Sequence, residues 1–169
     1  MRKIRMSMAT LLLVACSSGS PAASASPPPT QPATLAPGGC GSTSVYKGGI
    51  PAWLEEAGSH NNPDYLPYVL AVPQQSAAGF LFGYPLRGGH PENPSNKILW
   101  VVGMPRNGSP LEIQVHPLNA AEPSVTVTQP ANSSPGEIYP SIVDVPKPGC
   151  WHFDLAWAGH QASVDLVYD

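Results

Sequence analysis

Charged residues are scarce in this sequence. Asp, Glu, Lys and Arg make up 11% of its 169 residues, whereas they account for about a quarter of a typical globular domain. Arg2, Lys3 and Arg5 lie at the start of the chain, so five basic residues remain to set against eleven acidic ones. This acidic balance excludes the clustered basic surface that nucleic-acid-binding proteins use. We therefore expect no nucleic-acid partner.

Long apolar runs and known catalytic motifs are also missing. No run reaches the roughly eighteen apolar residues of a membrane-spanning helix. No Gly-x-Ser-x-Gly, His-Glu-x-x-His or His-x-His motif occurs, so neither an activated serine nor a familiar zinc centre is indicated. A carboxylate pair for glycoside hydrolysis needs no proximity in sequence, but no acidic residue stands in a distinctive setting. We predict that the protein is not an enzyme, and we assign it no cofactor.

The amino terminus carries the most specific motif. Residues 1–5 are basic and residues 6–15 are apolar, which is typical of an export signal. The segment Leu13-Val14-Ala15-Cys16 resembles the lipobox of bacterial lipoproteins. The resemblance implies cleavage before Cys16 and acylation of its thiol. Two or three acyl chains bind a membrane more firmly than the single chain that gives only marginal affinity.

Three regions follow from this reading. We predict a signal peptide at 1–15, an acylated Cys16 with a disordered tether at 16–39, and a folded domain at 40–169. The tether is rich in Ser, Ala and Pro and has no charge, so it cannot bury enough apolar surface to fold by itself. The predicted location is therefore extracytoplasmic, with membrane lipid as the partner of Cys16 in a cell membrane or an outer membrane.

Cysteine is rare, with three residues in the chain. If Cys16 is acylated as the resemblance implies, Cys40 and Cys150 remain as a pair in an oxidising compartment, and we expect them to form a disulfide. Such a bond would stabilise the fold by about 4–5 kcal/mol in the chain-entropy model. The alternative is two free thiols that act as metal ligands or as a redox pair, but neither has a second Cys close in sequence.

The remaining composition favours strands and turns, because the chain has 22 prolines and 16 glycines. From Pro146 to Tyr168 large apolar residues alternate with small or polar ones, which predicts an antiparallel hairpin with its turn at 158–161. Further strands are predicted over 42–46, 66–72, 77–86, 97–104, 111–115, 124–128 and 138–145, with one short helix over 51–57. We expect 105–110 to form a hairpin turn through Asn107-Gly108.

Seven or eight short strands joined by Pro, Gly and Asn turns predict an all-β fold, specifically an antiparallel β-sandwich with at most one short helix. Trp151 beside Cys150, and a disulfide between distant segments, are similar to features of immunoglobulin-like domains. The resemblance implies an immunoglobulin-like architecture, although the Cys-to-Trp arrangement of antibody domains is absent. A jelly roll is the second choice. The texture of 83–169 is similar to that of uncharacterised extracytoplasmic domains of bacterial lipoproteins.

Histidines offer the main chemical alternative. His152 shares a polar strand face with Asp154, and His116 shares one with Glu112, so a metal site could form if the two strands are neighbours. Because nothing in the sequence requires that adjacency, solvated surface histidines are the preferred interpretation and no metal is assigned. Two imidazoles within about 5 Å of each other beside a carboxylate would favour the metal hypothesis. Its four candidate ligands are His90, His116, His152 and His160.

The preferred function is therefore a non-enzymatic lipoprotein that displays a β-sandwich binding module at the cell envelope, for an unknown protein or glycan ligand. A rigid sandwich presents its loops for binding, and we select the loops at 87–96, 107–108 and 132–136. The predicted binding residues are Arg87, His90, Glu92, Asn93 and Asn107. The alternatives are a metal-binding envelope protein and a structural subunit of an envelope assembly, which a contiguous exposed apolar patch would support.

Overall fold

The structure is a computed structural model that describes residues 32–57, 66–73, 76–89, 96–103, 107–131 and 138–169. Cys16, the lipobox, most of the predicted tether, the loop at 132–136 and the predicted binding residues His90, Glu92 and Asn93 lie outside these ranges.

Within the described ranges the chain forms ten strands and one short helix. In chain order they are β1 (Thr34–Ala36), β2 (Val45–Lys47), α1 (Ala52–Glu56), β3 (Tyr68–Leu70), β4 (Ala77–Leu81), β5 (Lys97–Val102), β6 (Leu111–Pro117), β7 (Val125–Gln129), β8 (Ile138–Ile142), β9 (Gly149–Trp157) and β10 (His160–Tyr168).

The strands form two antiparallel sheets that pack face to face. One sheet has the order β1-β2-β3-β4-β5-β8 and the other has the order β10-β9-β6-β7. The predicted all-β sandwich with one short helix is thereby confirmed. In the described part of the chain, no helix has the length and apolarity needed to cross a membrane.

The core lies between the sheets and follows from the alternation of side chains along β9 and β10. Trp151, Phe153, Leu155 and Trp157 on β9 are buried. Four residues of β10 join them from the same side of the sheet: Ala162, Val164, Leu166 and Tyr168. Side chains from the six-stranded sheet, such as Trp100 and Tyr139, fill the opposite half of this core. Each large apolar side chain removed from water contributes roughly 1.5–3 kcal/mol, so this hairpin is the main source of apolar burial in the smaller sheet.

A second apolar cluster covers the outer face of the six-stranded sheet. The predicted helix forms as α1, and its Leu54 is fully buried against Tyr68, Ala78 and Phe80. Because α1 covers this face, both faces of the sheet are apolar at its centre. Accordingly β5, which the sequence placed at a central position, pairs with β4 on one side and β8 on the other.

Two local predictions were wrong. Thr34–Ala36, assigned to the disordered tether, forms edge strand β1 and pairs with β2. Its side chains are mostly exposed and Leu35 is 75% exposed, so no burial pattern marked it. The segment at 105–110 was expected to join a hairpin, but β5 and β6 lie in different sheets. The final hairpin is confirmed, with a tighter turn at Ala158 and Gly159.

Cys40 and Cys150 are joined in a disulfide, as expected, with their Cα atoms 6.1 Å apart. Cys150 alternates with buried Trp151 and therefore lies on the outer face of the four-stranded sheet. The disulfide thus fastens the segment around Cys40 to that outer face. Nearby, the amide of Val167 donates to the carbonyl of Gly38 at 2.9 Å, so the same segment runs beside β10.

Tyr168 provides a test of the core. Its hydroxyl donates to the carbonyl of Val143 at 2.8 Å, and burial, reinforced by the charge of Asp144, raises its pKa far above the usual value. The unfolded chain releases this proton near pH 10 while the folded chain retains it, so folding stability falls as pH rises above that value. We expect the free energy of unfolding of Tyr168→Phe to fall less steeply with pH above pH 10, by about 1.4 kcal/mol per pH unit. Urea unfolding at a series of alkaline pH values measures it, and an unchanged slope would contradict the assignment.

Candidate metal site

Two histidines meet on the outer face of the four-stranded sheet. Along β6, buried Leu111, Ile113 and Val115 alternate with outward residues that end at His116. The antiparallel register of β6 and β9 places His116 directly opposite His152. Directly opposed residues on one face of a sheet lie within contact distance, and the two imidazole centroids are 5.2 Å apart. The adjacency that the sequence left open is therefore present.

Asp154 supplies the carboxylate beside this pair. Its Oδ2 lies 3.5 Å from Nε2 of His116, and its Oδ1 lies 3.4 Å from Nε2 of His152. Glu112, which the sequence paired with His116, lies instead opposite Ala156 in the β6–β9 register. Glu112 is therefore two rows away from the imidazoles, and Asp154, which the sequence grouped with His152, is the carboxylate beside both rings.

The other ring nitrogen of each histidine has its own hydrogen-bond acceptor. Nδ1 of His116 lies 2.9 Å from the carbonyl oxygen of Pro117 and 3.0 Å from that of Ala120. Nδ1 of His152 lies 2.5 Å from Oδ1 of Asp165. Carbonyl and carboxylate oxygens accept hydrogen bonds but do not donate them, so Nδ1 carries the proton in both rings. The tautomer is therefore fixed by the hydrogen bonds around each imidazole.

This arrangement leaves acceptors facing acceptors. In neutral rings protonated at Nδ1, both Nε2 atoms carry lone pairs. Both Nε2 atoms lie within 3.5 Å of the carboxylate of Asp154, which also has only acceptor atoms. A proton or a metal cation between them converts this repulsion into attraction. Two imidazole nitrogens and a carboxylate oxygen form a ligand set that zinc uses in proteins.

The spacing of the three groups is close to what a metal ion requires. One ligand atom from each of His116, His152 and Asp154 can be chosen so that all lie within 4.8 Å of one another. A tetrahedral ion with bonds of about 2.0–2.1 Å would place neighbouring ligand atoms about 3.3–3.4 Å apart. The two His–Asp distances, 3.5 and 3.4 Å, are close to this value but involve different oxygens of Asp154. Side-chain rotations that bring one oxygen and both nitrogens closer together would complete the geometry.

Solvent reaches the cluster. The side chains of His116 and His152 are 24% and 26% exposed, and that of Asp154 is 55% exposed. A groove of about 670 Å³ lies beside Asp154 and is lined by polar side chains that include Gln114, Thr126 and Ser163. An ion therefore has an entry path, and three protein ligands leave at least one coordination position for water or another small ligand.

The remaining histidine and loop predictions lie elsewhere. His160 begins β10 at the far end of the β9–β10 hairpin, where it contacts the ring of Trp157. Of the three described histidines, His160 is therefore the one that lies away from the cluster. His90 lies outside the described residues. Asn107 is exposed, and its Oδ1 accepts a hydrogen bond from the amide of Ser109 at 3.1 Å. That contact stabilises the local turn.

Arg87 is exposed at the base of the predicted binding loop, and buried Asn96 holds the other end of that loop. The amide of Arg87 donates to Oδ1 of Asn96 at 2.8 Å, and Nδ2 of Asn96 donates to the carbonyl of Arg87 at 2.9 Å. Nδ2 also donates to Asp144 at 2.7 Å. Asn96 thus closes the loop at its base. Of the five predicted binding residues, Arg87 and Asn107 are described, and they are on different loops.

Sequence reasoning missed Asp165. Its side chain is only 7% exposed and lies directly opposite His152 on β10. The signal was available, because the hairpin register pairs 165 with 152 and a carboxylate on the partner strand is the expected acceptor for an imidazole.

Comparisons of the chain with protein families, with curated proteins and with solved structures return no match.

The tautomers can be measured directly. We expect the imidazole ¹⁵N shifts of the neutral, metal-free protein to show protonated Nδ1 and unprotonated Nε2 for His116 and His152, because their Nδ1 atoms face acceptors. Exposed His160 serves as the internal reference in the same spectrum. Protonated Nε2 in either His116 or His152 would contradict the hydrogen-bond assignment.

Proposed function

We propose that this protein is a membrane-anchored lipoprotein whose β-sandwich binds a divalent transition-metal ion through His116, His152 and Asp154. The observation that carries the metal-binding role is the convergence of two Nε2 atoms on one carboxylate, at 3.5 and 3.4 Å. The resemblance of Leu13-Val14-Ala15-Cys16 to a lipobox supports the anchor. Both parts are testable, and neither depends on the other.

The ligand chemistry selects the class of ion. Imidazole nitrogens suit Zn²⁺, Cu²⁺, Ni²⁺ and Co²⁺, whereas Ca²⁺ and Mg²⁺ prefer sites made of oxygen atoms. With three protein ligands the site has an open position, so it belongs with sites that exchange their ion or bind a further small ligand. A fully closed structural zinc site would instead have four protein ligands.

The first test measures zinc binding. Titration of the folded domain with Zn²⁺ is expected to give one site per chain, and Ca²⁺ or Mg²⁺ at the same concentration is expected to leave it empty. His116→Ala, His152→Ala and Asp154→Asn should each weaken binding by more than the roughly 10–100-fold lost with an outer-shell partner. His160→Ala is the matched control, because His160 lies outside the cluster.

Two results would contradict the metal-binding role. One is the absence of zinc binding by the wild-type domain. The other is binding that His160→Ala abolishes but the three cluster variants retain. Replacing Zn²⁺ by Co²⁺ gives a second readout, because the visible spectrum of bound Co²⁺ distinguishes nitrogen and oxygen ligation in a four-coordinate site from an ion surrounded by water.

The second test concerns the anchor. Intact mass spectrometry of the protein from its own membrane fraction should give the mass of a chain that begins at Cys16 and carries acyl groups. Cys16→Ser should remove the acyl mass. Recovery of wild-type protein with Cys16 unmodified, or of a chain cleaved beyond it, would disprove the anchor and leave the metal site unaffected.

The two other hypotheses have weaker support. The display loop at 87–96 stays a prediction, because its central residues lie outside the described ranges. An assembly subunit would need a contiguous apolar surface. The large apolar side chains exposed in the described residues are Leu35, Val72, Phe82 and Ile142. Phe82 directly follows β4 and Ile142 ends β8, the two strands that flank β5, and charged Lys97 lies between them.

A further inference from the structure

The row of residues that contains the imidazole pair ends at a buried carboxylate. His116 on β6, His152 on β9 and Asp165 on β10 are directly opposite one another in register. The side chain of Asp165 is 7% exposed, compared with 55% for Asp154. A buried carboxylate is costly unless it is paired and hydrogen-bonded, so its partners must explain why it is there.

One of those partners is His152, and the others come from a turn near the start of the domain. The amide of Ser42 donates to Oδ2 of Asp165 at 3.1 Å, and the Ser42 hydroxyl lies 3.5 Å from the same oxygen. The amide of Asp165 donates to Oγ1 of Thr43 at 2.7 Å. The turn itself is closed by the amide of Thr43, which donates to the carbonyl of Cys40 at 2.9 Å. We call the segment Gly41–Thr43 the Asp165 turn.

Two features hold the Asp165 turn in place. Gly41 has a φ of +55°, and a Cβ atom at this position would overlap the carboxylate of Asp165. Because glycine has no Cβ atom, the backbone of the turn can lie this close to the carboxylate of Asp165. The residue before it, Cys40, is bonded to Cys150, which lies two residues before His152 on the same face of β9.

We propose that Asp165 is the positioning residue of the metal site, and that the Cys40–Cys150 disulfide sets the metal affinity by holding the Asp165 turn against it. This inference rests on the proposed metal-binding function. Asp165 accepts the Nδ1 proton of His152 and thereby directs Nε2 toward Asp154. A carboxylate in this outer position also raises the basicity of the ligating nitrogen. The Ser42 amide fixes the second oxygen of Asp165, so the carboxylate cannot rotate away from the imidazole.

The disulfide matters because the turn contacts Asp165 through a few hydrogen bonds, which are individually weak. A hydrogen bond to a charged group is roughly twice as strong as one between neutral groups, and both break far more readily than a covalent bond. With Cys40 released, non-covalent contacts hold the segment before β2 at this point: those of the turn, the pairing of Gly39 with Leu166, and the hydrogen bond from the amide of Val167 to the carbonyl of Gly38. A mobile turn leaves Asp165 exposed to water for part of the time, and the orientation of His152 is then less well defined.

The test compares zinc affinity, measured by competition with a chromogenic chelator, in four proteins. Asp165→Asn is expected to bind about 10–100-fold more weakly than wild type, which is the usual effect of losing an outer-shell partner. Cys40→Ser combined with Cys150→Ser should lose at least about tenfold, and serine in place of cysteine adds no thiol that could itself bind zinc. Glu112→Gln is the control, since it removes one negative charge from the same face two rows away from the imidazoles. Its affinity should equal that of wild type.

A second readout needs no metal. The ¹⁵N spectrum of His152 should show protonated Nδ1 in wild type and in Glu112→Gln, and a mixture of both tautomers in Asp165→Asn and in the disulfide variant. A role for Asp165 in stability alone would leave this tautomer unchanged in any variant that remains folded. Thermal unfolding checks that each variant is folded. If the disulfide variant fails to fold, Gly41→Ala perturbs the same turn with both cysteines intact.

The outcomes separate the two proposals. A wild-type protein that binds no zinc overturns the proposed function, and the tautomer comparison then decides the positioning role of Asp165. Zinc binding that is equal in wild type, Asp165→Asn and the disulfide variant overturns this inference and leaves the proposed function intact. Weaker binding by Asp165→Asn alone, with wild-type affinity in both the disulfide variant and Gly41→Ala, confirms Asp165 and disproves the role of the disulfide.

Discussion

The register of β9 between β6 and β10 is the constraint on which the rest of this structure depends. Side chains alternate strictly along a strand, so one register decides which residues face the core and which face solvent. In this register Phe153 and Leu155 meet Val115 and Ile113 inside the sandwich. The same register places His116, His152 and Asp165 in one row outside. A shift by a single residue would expose the core and bury the histidines.

The energy that fixes the register therefore comes from the core, and the outer row is positioned as a consequence. Trp151, Phe153, Leu155 and Trp157 are each at most 4% exposed, and moving any of them to the solvent face would cost roughly 1.5–3 kcal/mol. A cluster of polar side chains on a flexible loop would have to be ordered at the moment of binding. On a sheet whose register is fixed by apolar packing, most of the conformational entropy needed to order such a cluster is lost during folding. The site is therefore preorganised before any ligand binds.

The sequence predicted the elements of this fold better than their partners. Local sequence patterns predicted the hairpin of β9 and β10, the solvent-exposed face of β6 and the helix at 51–57. They suffice because alternating residues and turn residues lie within a few positions of each other. The pairing of β6 with β9 joins segments about forty residues apart, and no local pattern specifies it. For this reason the sequence grouped His152 with Asp154 and His116 with Glu112 but could not predict that Asp154 lies beside both imidazoles. Edge strand β1 was missed because its exposed side chains carry no burial pattern.

Asp154 is the group in this site that the fold alone does not explain. Asp165 is buried, and it is satisfied by an imidazole and by an amide. Asp154 is more exposed, yet its two oxygens face two ring nitrogens at 3.4 and 3.5 Å, and the hydrogen bonds on the far side of each ring place the proton at Nδ1. With neutral rings the three groups repel one another, and a proton on Nε2 or a bound cation removes the repulsion. The arrangement stabilises the sheet only weakly, but it holds three metal ligands on a rigid surface with solvent access, so we interpret it as a binding site.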